Sequence, residues 1–453
     1  MRRPQESLLR IDAEATKNIF MREMLFAFSH AKLEPSFPNT DEIWVSLSST
    51  NNRSRVIWDE GLGLVFAFIL LADNATPCLA ATIRPVQPPH PNDIKLANAY
   101  IRVFVEDLKA APNLKRHQEL WETLSISRAP RAIARLTAFS TTPFLSCLTT
   151  MEAAAHLKYE GESFQSVVLM SKQAEWISKP AADGYIALKP ALNFSQALLE
   201  EKWIRALVKS RNVALHSLGH GHGIVGIVSL PKTLDSQVDK VLLPTRLREA
   251  TSMLCNGTMA FVSAANGDLY VVLPSGAVFV KTQGRWHYLN FASFQSLIAK
   301  YVPEIIVRPL LQAVLDMSYE RRGALFCIPD ADTSIQELVP DHYSEDRPNS
   351  ALRSAAKNLS INSDAHRAIL LATASIDGSI IVSQNGTILD VACMIGEPDE
   401  KALAPLGMLR LQRLPGARST AAWNASILGL SIQISEDGPI SVYSKGTLLG
   451  HLG

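Results

Sequence analysis

Apolar positions recur with two different periods along the chain, and the period predicts the elements. In residues 1–145, helical spacing runs from about Glu14 to Ser29 and resumes at Ile94–Leu108 and Leu114–Leu124. Strand-like runs lie at Ile43–Leu47 and Leu64–Leu71, and Pro85, Pro88, Pro89 and Pro91 predict a loop. Residues 146–302 read as richer in strands. Val167–Met170 and Ile224–Leu230 are short apolar runs of the buried type, and Leu198–Lys209 has helical spacing. Met259–Ala264, Leu269–Leu273 and Val278–Lys281 are separated by Asn266-Gly267-Asp268 and Pro274-Ser275-Gly276, which predicts a meander.

The last stretch, residues 303–453, has the clearest order. A helix is expected to start at Pro309, with Leu310, Leu311, Val314, Leu315 and Met317 on one face, and to end at Gly323. Ala324–Ile328 reads as a strand, Asp330–Asn349 as a polar loop, and Ala365–Ala374 as a helix with Asp364 at its N-cap. Ser379–Ser383 and Thr387–Met394 flank Gln384-Asn385-Gly386, a hairpin signal. A further helix begins near Arg418, and Leu430–Ser435 and Ile440–Ser444 form a second hairpin around Glu436-Asp437-Gly438. The pattern predicts a mixed α/β (α+β) protein in three parts: an α/β domain over 1–145, a β-rich region over 146–302, and a mixed sheet flanked by helices over 303–453.

Composition narrows the function classes. The 453 residues are 47% apolar and carry a formal charge of +1, with no long basic run. A nucleic-acid polymer is therefore not an expected partner. The average hides a step: residues 303–453 hold 12 basic and 17 acidic side chains, so the last third is acidic and the rest mildly basic. Five separated cysteines with no C-x-x-C pair suit free thiols in a reducing compartment. Met1-Arg2-Arg3 leads into polar residues, and the longest apolar run, Leu62–Ala72, is shorter than the roughly 20 residues a membrane helix needs. A cytoplasmic protein with no membrane partner is expected.

Candidate chemistry concentrates in the acidic third. Asp377 precedes Gly378 at the start of a strand, where a carboxylate can bind a metal or accept a proton, or can simply occupy a turn. Gly416-Ala417-Arg418-Ser419-Thr420 precedes an Ala-rich helix, whose N-terminal N–H groups favour an anion. There Arg418 can grip a phosphate through two hydrogen bonds, while Ser419 and Thr420 can donate or cap the helix. Arg410 and Arg413 make the stretch locally basic. Glu436 is either a metal-side carboxylate or a solvated turn acid. Outside this third, His216, His220 and His222 lie in a Gly-rich segment that reads chiefly as a turn before the strand at Ile224, with a metal pair as the alternative.

Five segments occur in a fixed order: Arg322-Gly323-Ala324-Leu325-Phe326-Cys327-Ile328, Ile376-Asp377-Gly378-Ser379-Ile380-Ile381-Val382, the hairpin into Ile388–Cys393, Leu414-Pro415-Gly416-Ala417-Arg418-Ser419-Thr420-Ala421-Ala422, and Ile434-Ser435-Glu436-Asp437-Gly438. Together they resemble the diadenylate cyclase (DAC) domain, over about a third of the chain. The resemblance implies a nucleotidyltransferase that joins two ATP into cyclic di-AMP and releases pyrophosphate, with two domains facing one another. It implies Asp377, Gly378 and Arg418 as catalytic. Gly323, Ala324, Leu325, Gly378, Ser379 and Gly416–Thr420 would contact ATP, and Asp377 and Glu436 would hold Mg²⁺ or Mn²⁺. The Gly-His-Gly segment is similar to sensor regions ahead of DAC domains in some bacterial proteins. The chain departs from the family pattern at Ile376, where a His is usual, at Ala417 and Ser379, and at Ser419-Thr420, which replace His-Arg. Loss of one phosphate or oxyanion donor commonly costs roughly a hundred- to thousandfold in rate. A nucleotide-binding domain without full synthase activity is therefore the alternative, and a purely structural module is the third reading.

Overall fold

The computed structural model describes residues 16, 18–28, 31–34, 54–69, 79–85, 88–111, 118–137, 139–159, 161–173, 184–208, 212–219, 223–231, 241–344 and 346–453. The expected strand at Ile43–Leu47 and the residues His220 and His222 lie outside them. The protein is a mixed α/β fold, and the chain divides into two compact units: Met1–Leu234 with Glu249–Asn290, and Asp235–Arg248 with Phe291–Gly453. No helix among the described residues is long and apolar enough to cross a membrane.

The first unit holds a four-stranded antiparallel sheet and an eight-stranded sheet. The eight-stranded sheet runs in the order 285–289, 278–282, 269–272, 258–263, 166–171, 213–218, 223–229, 185–193. The expected meander forms its first half, because Gly267 and Gly276 supply the positive φ that its tight turns require. One pair, Ser166–Ser171 with Val213–Leu218, is parallel. His216 lies in that second strand and is buried, not in the turn that its glycine neighbours suggest. The helical run at Leu198–Lys209 is broken into Phe194–Leu199 and Lys202–Val208. Pro91 opens the helix Pro91–Ala110 instead of extending the loop, since a proline at the first helical position loses no internal hydrogen bond. The expected division at 145 falls inside the helix Thr141–Ala155, where Phe144, Cys147 and Leu148 join the same apolar core as Phe104, Val168 and Phe261.

The second unit is built on a six-stranded sheet. Helix α1 (Glu304–Tyr319) leads to strand β1 (Ala324–Pro329). Helix α2 (Asp364–Ala374) leads to β2 (Ser379–Val382) and β3 (Ile388–Cys393). Helix α3 (Ala417–Ile427) leads to β4 (Gly429–Ile434), β5 (Ile440–Ser444) and β6 (Thr447–Leu452). The strand order is β3-β2-β1-β4-β5-β6, with β1 and β2 parallel and the other neighbours antiparallel. Leu325, Cys327, Ile381, Ala422 and Ala425 form the core between the sheet and α3.

Helix α1 begins five residues before the expected Pro309, which sits inside it. Burial of Ile306 and Val307 on the extra turn offsets the hydrogen bond the proline removes. The helix also stops short of Gly323. Arg322 N–H donates to Met317 O at 2.9 Å and Arg321 N–H to Ser318 O at 3.1 Å, closing the end with Arg321 in the left-handed region at φ 57°. Glycine is the usual residue there, and another L-residue costs about 1 kcal/mol. At α2, Ser363 and not Asp364 is the N-cap. Asp316 of α1 accepts from the Thr245 N–H at 2.6 Å, Thr245 Oγ1 at 3.0 Å and Arg367 Nη2 at 2.7 Å. Gln312 donates to the Leu243 carbonyl at 3.1 Å. These bonds are why a piece of chain from 235–248 belongs to this unit.

Candidate functional site

Strand register decides which candidates meet. Phe326 and Cys327 of β1 pair with Ile380 and Ile381 of β2 in parallel, while Ala324 of β1 pairs with Ile434 of β4. Gly323, Asp377-Gly378 and Ser435-Glu436 therefore stand at the same end of three adjacent strands. With strands roughly 4.8 Å apart, the backbones carrying Asp377 and Glu436 are about 10 Å from each other, with Gly323 between. Both carboxylates are exposed.

Arg418 comes to this end from α3. It is the second residue of the helix, and its Nη1 donates to Glu436 Oε1 at 3.3 Å. The guanidinium crosses Gly323 so closely that a Cβ there would overlap Nη1 and come within 2.8 Å of Glu436 Cγ. Gly416 (φ 93°) caps α3 through its backbone, with no side-chain cap bond. The two hydroxyls that follow are already bonded within the chain. Ser419 Oγ accepts from Gln433 Nε2 at 2.9 Å, and Thr420 Oγ1 donates to the Leu414 carbonyl at 3.0 Å and accepts from the Leu414 N–H at 3.1 Å. Neither serves as the N-cap that the sequence allows. Ala417 N–H and its neighbours stand at the first turn of an 11-residue helix, where the dipole favours an anion.

Other candidates are taken up by the scaffold. Ser379 is buried and its Oγ donates to the Cys393 carbonyl at 3.0 Å. Gly378 (φ 121°) faces the neighbouring strand end, where a Cβ would lie 2.5 Å from the Ala392 carbonyl carbon. Its lack of a side chain is required by that packing and needs no ligand to explain it. Ala324 and Leu325 are buried, and Leu325 packs with Ala422 and Ala425. The two carboxylates, the guanidinium and the helix start are thus the candidates left open to solvent, and Ser379, Ala324 and Leu325 are taken up by packing.

No three of His, Cys, Asp or Glu are gathered closely enough to hold a metal ion among the described residues. Two exposed carboxylates at one sheet end still suit Mg²⁺, which takes one or two carboxylates and fills its shell with water and phosphate oxygens. His216 is no ligand of this kind: Nε2 lies 2.7 Å from Ser171 Oγ, Nδ1 lies 3.4 Å from Tyr185 Oη, and burial lowers its pKa to about 4.

A second polar cluster in this unit escaped the sequence reading. Asp390 of β3 accepts from Arg353 at 2.9 and 2.6 Å and lies 2.7 Å from His342 Nδ1, and Arg353 also donates to Asp341 at 2.9 and 3.0 Å. Asp390, Arg353 and His342 are buried. Burial alone would push the Asp390 carboxyl up. The hydrogen bonds from Arg353, His342 and the Val391 N–H outweigh it and hold the group below the usual range. An acid inside the apolar run Ile388–Cys393 was the available signal.

No family model matches the chain, and no curated protein does. Solved structures with partial similarity include a hypothetical membrane spanning protein from Bacillus cereus, 17% identical over 35% of this chain and 68% of that one, with a TM-score of 0.24. Another is a double mutant of DacA from Staphylococcus aureus, 21% identical over 32% of this chain and 84% of that one, with a TM-score of 0.22. At these scores neither carries weight for the fold or the activity.

Proposed function

We propose that the second unit, Asp235–Arg248 with Phe291–Gly453, carries a diadenylate cyclase-type nucleotidyltransferase domain that takes ATP. The observation that carries this reading is the placement of Asp377, Arg418 and Glu436, from three separate segments, at one end of β1, β2 and β4, with Arg418 bonded to Glu436. The reaction joins the 3′-oxygen of one ATP to the α-phosphorus of another, breaks the bond from that phosphorus to the bridging oxygen, and expels pyrophosphate. Repeated in the opposite sense, it closes the ring of cyclic di-AMP. One domain holds one ATP, so two copies face each other.

Asp377 takes the proton of the attacking hydroxyl or shares in holding the cation. Mg²⁺ or Mn²⁺ at Asp377 and Glu436 would neutralise phosphate charge as pyrophosphate departs. Arg418 and the first N–H groups of α3 bind the phosphates, which requires Arg418 to exchange Glu436 for the ligand. Pre-alignment of two nucleotides in facing copies supplies much of the rate.

A second reading, a domain that binds nucleotide without turnover, is favoured by one feature: the Ser419 and Thr420 hydroxyls are engaged with Gln433 and Leu414 where the family pattern has His-Arg. Incubation of the pure full chain with ATP and Mn²⁺ or Mg²⁺, followed by mass-spectrometric detection of cyclic di-AMP, separates the two. Product that disappears in Asp377→Ala supports the cyclase. ATP binding by calorimetry without product supports the binding domain. No product and no binding defeats both.

A further inference from the structure

The hairpin that carries Glu436 has a guanidinium on each of two sides. Arg418 lies against Gly323 and Glu436. Arg321 lies against Gly438, where a Cβ would come 2.6 Å from its Nη1 and 2.9 Å from its Cζ. Arg321 is two residues before Gly323, and Gly438 two after Glu436, so both arginines border the same sheet end. Arg322, between Arg321 and Gly323, turns to a different partner: its Nε lies 3.0 Å from Glu320 Oε2.

We propose that Arg321 is a second phosphate-binding residue of this site, holding the terminal phosphates of a nucleoside triphosphate across the hairpin from Arg418. The inference rests on the ATP reading above. It also accounts for a charge the motif lacks, because Ser419-Thr420 stand where the family pattern supplies another arginine. Two further features fit. Arg321 holds the left-handed helix-end position that glycine would occupy without strain, so the side chain is kept at a cost to the backbone. The hairpin is itself acidic at Glu436 and Asp437, so the phosphates bind there as the complex with a divalent ion, the form in which a flanking guanidinium adds to the attraction.

The geometry makes an unusual demand of the variants. Arg321→Gly relieves the strained position, so the melting temperature of the full chain holds or rises. Affinity for ATP and for inorganic tripolyphosphate, each with Mg²⁺, falls roughly ten- to hundredfold, the range of a lost charge-assisted contact. AMP, which has no terminal phosphates, binds Arg321→Gly and the unaltered chain alike. Arg321→Lys keeps part of the affinity, and Arg322→Gly, which removes the same charge, changes it by no more than about twofold, as expected for a surface-paired group. Calorimetry with the three ligands reads all of this. A lowered melting temperature with unchanged ATP and tripolyphosphate affinity would make Arg321 a hairpin staple and overturn the proposal. So would equal losses for AMP and ATP, or no tripolyphosphate binding by the unaltered chain. Tripolyphosphate binding that depends on Arg321, without cyclic di-AMP formation, would uphold the phosphate site while the cyclase reading fails.

Discussion

Arg418 Nη1 sits 3.3 Å from Glu436 Oε1, and the bond exists only because the residue beneath it, Gly323, has no side chain. The pair is largely exposed on the glutamate side and so contributes little to stability, about 0–1 kcal/mol. What the bond does is hold the guanidinium over Gly323, at the end of β1 and β4 where Glu436 stands.

Gly323→Ala should therefore separate stability from binding. The added methyl meets the guanidinium of Arg418 and Cγ of the exposed Glu436, two flexible side chains that can swing away, so the fold survives with a loss of about 1 kcal/mol. The arginine is displaced from the position where phosphate is expected. Calorimetry should show ATP affinity reduced roughly tenfold beside a melting temperature within a few degrees of the unaltered chain.

Gly378→Ala meets a different obstacle. The new Cβ would press 2.5 Å from the Ala392 carbonyl carbon, and φ is 121°, so backbone must move and no side chain can yield. A loss of about 2–4 kcal/mol is expected, read as a lowered melting temperature, whether or not nucleotide is present.

The buried cluster at β3 gives the largest expected effect. Arg353→Ala strands the Asp390 carboxylate inside the protein and should cost about 3–5 kcal/mol in denaturant unfolding. The cluster also sets an acid limit. Because the folded carboxyl sits below its ordinary value of 3.8, its contribution is present above that pH and disappears as the pH falls through the folded value. Asp390→Asn should flatten the acid limb of stability below about pH 4 while lowering stability at neutral pH.

The first unit should show opposed slopes between pH 4 and 7. Asp93 accepts from the His90 N–H and from Asn290, yet burial raises its pKa to about 7. Its contribution is full below 3.8 and is lost as the pH rises toward 7. Burial holds His216 at about 4, so its contribution is full above 6.5 and is lost as the pH falls toward 4. In denaturant titrations, Asp93→Asn should make stability rise more steeply with pH across this window, and His216→Gln should flatten or reverse the slope.

What the sequence revealed, and what it hid, follows the range of the interactions involved. The hairpins at Gln384-Asn385-Gly386 and Glu436-Asp437-Gly438 were legible because a tight turn is decided by its own residues. Asp377, Arg418 and Glu436 could be nominated, but that they share one sheet end depends on pairing between β1, β2 and β4, which no local pattern encodes. The commitment of Ser379 to Cys393 and of Ser419 to Gln433 was invisible for the same reason. Strand Thr447–Leu452 was missed because its residues are half exposed and show weak alternation. His216 was misread because its glycine neighbours outweighed the strand pairing with Leu169.

The chain passes between its two units at 234–235, at 248–249 and again at 290–291. The units are thus tied by three covalent tethers, and the second is assembled from two stretches separated in sequence. A fragment cut at Pro303, where the sequence pattern suggests a clean start, would discard Thr245 and Leu243. It would leave the Asp316 carboxylate and the Gln312 amide without the groups that bond them. Excision by sequence would remove part of the domain it means to isolate, whereas a piece that begins at or before Asp235 keeps both stretches and the 249–290 segment that joins them.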